Sequence, residues 1–130
     1  MKRTLLAISA ITFLLAACGG DEPTKPKVEP LNISGKWTGT GMSASARSVS
    51  FELVLSYTNN SVNGTGKYQI SGSLSPTSFN VTGTCFASGD LSLFFGSTLI
   101  DFDGTATATQ LRGKIKNGGM QESSTTFFKN

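Results

Sequence analysis

The side chains best able to do chemistry in this chain of 130 residues are few, and histidine is not among them. That removes Ser-His-Asp and Cys-His nucleophilic arrangements and the commonest zinc ligand. Two cysteines are present, Cys18 and Cys85. Cys85 shares one face of a period-two pattern with Val81 and Gly83, and no base adjoins it in sequence. It reads as a small buried hydrophobe rather than a reactive thiol. Asp101-Phe102-Asp103-Gly104 places two carboxylates two residues apart, but no third ligand or closing Glu follows at calcium-loop spacing. They read as solvated charges on the outer face of a strand. Asn32, Asn59, Asn63 and Asn80 each head an Asn-x-Ser/Thr triplet, a pattern that arises by chance in a Ser/Thr-rich chain. No catalytic set, metal set or cofactor motif emerges, and the reading is of a non-enzymatic binding protein.

Cys18 has the more informative context. Lys2 and Arg3 precede an apolar run from Leu5 to Ala17, the size of a signal-peptide core and short of the ~20 residues that span a bilayer. Leu15-Ala16-Ala17-Cys18 resembles the lipobox of bacterial lipoproteins. The resemblance implies that residues 1–17 are a signal peptide, that Cys18 becomes the first mature residue, and that its thiol and amino group carry acyl chains. At ~0.8 kcal/mol per buried CH₂, two or three such chains hold a small domain on a membrane. Gly19, where Asp would resemble an inner-membrane retention signal, points to the outer membrane, with the leaflet open. Asp21-Glu22 loosely resembles the acidic export tag of some surface lipoproteins.

Cleavage changes the electrostatics. The full chain has eleven basic and eight acidic residues; without Lys2 and Arg3 nine remain against eight, a net +1. Much of the apparent basicity belongs to the signal, so nucleic acid is not an implied partner. With Cys18 acylated, Cys85 has no cysteine to pair with.

The elements that must carry any binding site follow a tether. Residues 18–31 hold the acylated cysteine and a Pro-rich linker, with Pro23, Pro26 and Pro30 excluding a strand. Residues 32–130 suffice for one domain. Short apolar alternations divided by Gly, Asn and Ser predict an all-β fold. The strands expected are 35–41, 50–57, 61–71, 79–87, 90–95, 100–108, 111–116 and 123–129. Eight strands on short links favour an up-and-down antiparallel barrel, because closure removes exposed edges; a two-sheet β-sandwich is the alternative.

Alternation places Phe51, Leu53, Leu55 and Tyr57 on one face, as it does Leu93 and Phe95, and also Phe102. These seven residues are the candidate lining of a barrel holding a small apolar ligand, with Tyr57 as a hydrogen-bonding group near the mouth. A repeat of apolar residue, any residue, Gly recurs at Val62–Gly64, Val81–Gly83, Phe102–Gly104 and Leu111–Gly113. It points either to close packing over the glycines or to space left for a ligand. Phe127-Phe128 must send one ring inward and one outward.

Gly35-Lys36-Trp37, opening the first strand, resembles the Gly-x-Trp start of lipocalin-like (calycin) barrels and of avidin-like barrels. The resemblance implies that Trp37 packs across a closed end beneath a basic side chain, for which Arg112 or Lys129 is available. The chain departs from avidin in having a single Trp. Two roles remain open: carrier of a small apolar ligand, or a filled barrel serving as a protein-interaction module through loops such as 42–49 and 72–78, as a scaffold or protease inhibitor would.

Overall fold

Val49, Phe51, Leu53 and Leu55 alternate with exposed residues along β2 (Ser48–Thr58), so that one face of the strand is dry and the other wet. The same alternation recurs in β4 (Thr77–Cys85), β5 (Asp90–Phe95) and β6 (Ile100–Ala106). The computed structural model describes residues 30–130. Within it β1 (Gly35–Met42), β3 (Ser61–Ile70), β7 (Gln110–Lys116) and β8 (Ser123–Lys129) complete a closed antiparallel barrel in the order of the sequence. The barrel is therefore the architecture, and the sandwich is excluded. Cys18, the expected signal peptide and nearly all of the expected linker lie outside the described residues. Among those described, no helix is long and apolar enough to cross a membrane.

Turn chemistry sets the strand ends. Asn59 and Asn60 both have positive φ, 49° and 63°, and close β2 onto β3 in a two-residue hairpin. β4 ends at Cys85, earlier than the expected Ala87, because Phe86 and Gly89 form a turn in which the Gly89 N–H donates to the Phe86 carbonyl. β6 likewise ends at Ala106 rather than Ala108. The Thr107 hydroxyl there accepts bonds from the Thr109 and Gln110 N–H groups and turns the chain. β2 starts two residues early, at Ser48, and β4 starts at Thr77 just beyond Pro76. A 3-10 turn, Gly96–Thr98, links β5 to β6.

The barrel closes where β1 meets β8, through Trp37–Lys129, Thr38–Phe128 and Gly39–Phe127. Pairing resumes only at a bridge between Ser43 and Met120. Between these points Thr40–Met42 of β1 faces the longer Gln121–Thr126 stretch, a bulged seam of the kind that re-aims side chains at barrel rims.

Candidate functional site

Six of the seven residues expected to line a ligand chamber come together inside the barrel and pack it, while Tyr57 stands partly buried at one end. Phe51, Leu53, Leu55, Leu93, Phe95 and Phe102 are at most 3% exposed. Rings interlock along the axis. Phe79 stacks on Phe95 with centroids 4.7 Å apart, Phe102 meets Phe127 edge-on at 5.2 Å, and Phe51 touches Phe95 and Phe127 at 6.1 and 5.9 Å. Each buried side chain of this size contributes ~1.5–3 kcal/mol, so these residues act as the core of the fold.

The glycine repeat has the packing explanation. A Cβ at Gly64 would collide with the Val54 carbonyl, at Gly83 with that of Ser92, at Gly104 with that of Arg112, and at Gly113 with that of Asp103. Each glycine lets a paired strand approach more closely than any side chain permits, which coils the barrel tightly. At Gly39 a ring supplies the contact instead: a Cβ would lie 2.7 Å from Phe127 Cδ1.

One end of the barrel is plugged. Trp37 is fully buried, and its indole N–H donates to the Ile33 carbonyl at 2.9 Å. Ile33 is itself fully buried, and Leu31, expected to belong to the linker, packs against the core. Their Leu-x-Ile alternation just before Gly35 was the signal that would have placed them in the barrel. Lys129 Nζ stands 5.5 Å from the Trp37 ring centroid and 3.4 Å from the Asn32 carbonyl. The basic partner of the tryptophan is thus Lys129, whereas Arg112 lies exposed on β7, paired with Thr105 and Thr126. Gly35, at φ +132°, brings Lys129 into place; a Cβ there would meet Lys129 Cε at 2.9 Å.

Tyr57 belongs to this plugged end, where with Leu31, Asn60 and Lys129 it lines a depression of about 820 Å³. Its hydroxyl lies 3.0 Å from the Cys85 carbonyl and 3.2 Å from Asn60 Oδ1, and its backbone N–H donates to Ser34 Oγ at 2.9 Å. The phenol is committed to tying β2 to β4.

The remaining reactive groups are occupied or quenched. Cys85 is fully buried, and burial, aided by the negative charge of Asp90, raises its thiol pKa. Asp103 accepts from Ser92 Oγ at 2.8 Å and pairs with Lys116 at 3.0 Å, and these bonds lower its pKa. Asp101 accepts from the Asn117 amide. Among the described residues no cluster of acidic and cysteine side chains could hold a metal ion. Two hydroxyls at the bulged seam stand apart. Thr125 Oγ1 and Ser123 Oγ are buried without a hydrogen-bond partner among the described residues.

Outside the wall, two adjoining depressions of about 430 and 540 Å³ share Glu52 and Lys67. They cross the outer face from β8 to β4, with Phe128 at one end and Asn80 at the other. Sequence reasoning missed this trough, because outward polar residues on a strand have no periodicity beyond that of any solvated face. Phe128 was its one visible sign. Phe127 is fully buried and Phe128 is 52% exposed, as the adjacent pair required.

No protein-family model matches the chain, and no curated protein matches it. Among solved structures it is similar to a de novo designed fluorescence-activating β-barrel, with a TM-score of 0.55 and 15% sequence identity, over 76% of this chain and 94% of that one. At that identity the likeness is one of fold.

Proposed function

We propose that the chain is a lipid-anchored binding protein of a bacterial envelope, in which the barrel is a filled, rigid scaffold and recognition takes place on its outer surface. The observation that carries the second half is the interlocked interior, where Phe51, Phe79, Phe95, Phe102 and Phe127 contact one another in place of a ligand. The Leu-Ala-Ala-Cys segment supports the first half: acyl chains on Cys18 make the membrane a permanent partner, most simply at the outer membrane. The Pro-rich segment then acts as a spacer, reaching up to ~3.1 Å per residue where extended. A filled scaffold suits the interaction-module role, with an envelope component as partner and no enzymatic step.

The carrier role rests on a different observation. The unpartnered Thr125 and Ser123 hydroxyls at the β1–β8 seam would suit the polar group of a small apolar ligand entering there. A designed barrel of similar fold is described as fluorescence-activating, which supports a barrel of this kind as a ligand binder. Holding a ligand inside would require the Phe79–Phe95 stack to part. Titration with an environment-sensitive fluorescent lipid separates the two roles. The filled scaffold gives no saturable signal, and a saturable site competed by a fatty acid would establish the carrier.

A further inference from the structure

We infer that the outer trough is a binding site for a glycan chain, an inference that rests on the reading that recognition lies outside the barrel. Its floor follows from strand register. Phe128 pairs with Thr38, Thr38 with Glu52, Glu52 with Lys67, and Lys67 with Ser78. All five stand on the outward face. The row is a cross-strand track that curves around the outside of the closed barrel, and at ~4.8 Å per strand its path from β8 to β4 is ~19 Å long. That path matches a short oligosaccharide bent around the wall.

The lining selects the ligand class. A sugar ring presents an apolar C–H face and a rim of hydroxyls, so it is matched by an exposed ring among side chains that both donate and accept. Phe128 supplies the ring, and Thr38, Thr40, Ser50, Gln69 and Thr126 supply the hydroxyls and amide. Glu52 and Lys67, 3.0 Å apart and both half exposed, cancel in charge while leaving oxygen and N–H directions for sugar hydroxyls. With Lys36 as the one further charge in the second depression, the trough is near neutral. That balance disfavours polyanions and strongly basic peptides. The exposed apolar area, Phe128 and Val54, is too small for the anchor cluster of a protein interface or for an acyl chain. Small barrels elsewhere use an outer sheet face for oligosaccharides.

The test uses the full chain in mild detergent, with soluble N-acetylglucosamine oligomers followed by amide chemical shifts, and co-sedimentation with isolated peptidoglycan sacculi or lipopolysaccharide. Saturable shifts along β8, β1, β2 and β3 are expected, and the sedimentation arms identify the source of the glycan. Phe128→Ala should weaken binding at least 10-fold and Phe128→Trp should restore it, with unfolding midpoints checking that each variant is folded. Lys67→Met should weaken binding several-fold. No saturable binding of any of these probes, or binding indifferent to Phe128→Ala, overturns the inference. A photo-crosslinker at position 67 separates the failures. Capture of a protein there refutes the glycan but leaves outer-face recognition standing, whereas a lipid retained inside the barrel refutes both.

Discussion

Gly104 and Gly113 face each other across the β6–β7 pair, and a side chain on either would run into the backbone of the other's strand. Gly104→Ala or Gly113→Ala should therefore destabilise the barrel by more than ~2 kcal/mol, in the range of severe overpacking. Gly41→Ala is the contrast, because its Cβ would meet side chains rather than backbone, nearest the Phe51 ring edge at 3.1 Å, and should cost ~1 kcal/mol or less. Urea unfolding of the three variants measures the difference; equal losses would mean that the repeat does not mark close strand approach.

Lys129→Met removes the cation above Trp37 and the bond to the Asn32 carbonyl, and should lower stability by ~0.5–2 kcal/mol. Arg112→Met, on an exposed outer face, should stay within ~0.5 kcal/mol of wild type. Unfolding midpoints distinguish the two basic residues that the sequence left as alternatives.

Thr125→Val replaces a buried, unpartnered hydroxyl by a methyl of similar size. Relief of an unsatisfied polar group predicts a stability gain of ~1 kcal/mol, read as a higher urea midpoint. A loss of that size would mean that a bound water or ligand satisfies the hydroxyl.

The pH dependence has a defined sign. Asp103 is held below the ordinary carboxylate range by hydrogen bonds from Lys116 and Ser92. Its contribution to stability is complete above its unfolded pKa of ~3.9 and is lost as pH falls through the lower folded value. Carboxyl carbon shifts should show Asp103 titrating below ~3.9, and Lys116→Met should move that titration upward. The pair is substantially exposed, so the stability effect should be small and salt-sensitive.

Cys85 should resist alkylation at mildly basic pH in the folded protein, because burial and the Asp90 charge both disfavour its thiolate. In urea it should react freely. Unfolded protein from the native membrane should then take up one alkyl group per chain, with the thiol of Cys18 blocked by diacylglycerol; two groups would show Cys18 free.

The barrel was legible because its core obeys period two. Leu53, Leu93 and Phe102 each sit where alternation put them, and the Asn59-Asn60 turn announced its hairpin. What the inward residues do was not legible in the same way. Alternation says that Phe51 and Phe95 face inward, but only ring-to-ring distances reveal that they meet each other rather than enclose space. Arg112 and Lys129 were equivalent as basic residues on late strands until register put Lys129 opposite Trp37. The trough depends on five strands in register, a relation between residues as distant as Thr38 and Phe128 that no local pattern encodes.

The central claim, a membrane-anchored and filled barrel that recognises its partner from outside, is tested most directly by native mass spectrometry of the protein extracted gently from its own membrane. The predicted result is a chain beginning at Cys18 with its acyl chains attached and no small molecule retained once exchangeable partners are stripped. A chain still beginning at Met1, or a lipid that stays with the folded barrel and leaves only on unfolding, would contradict it.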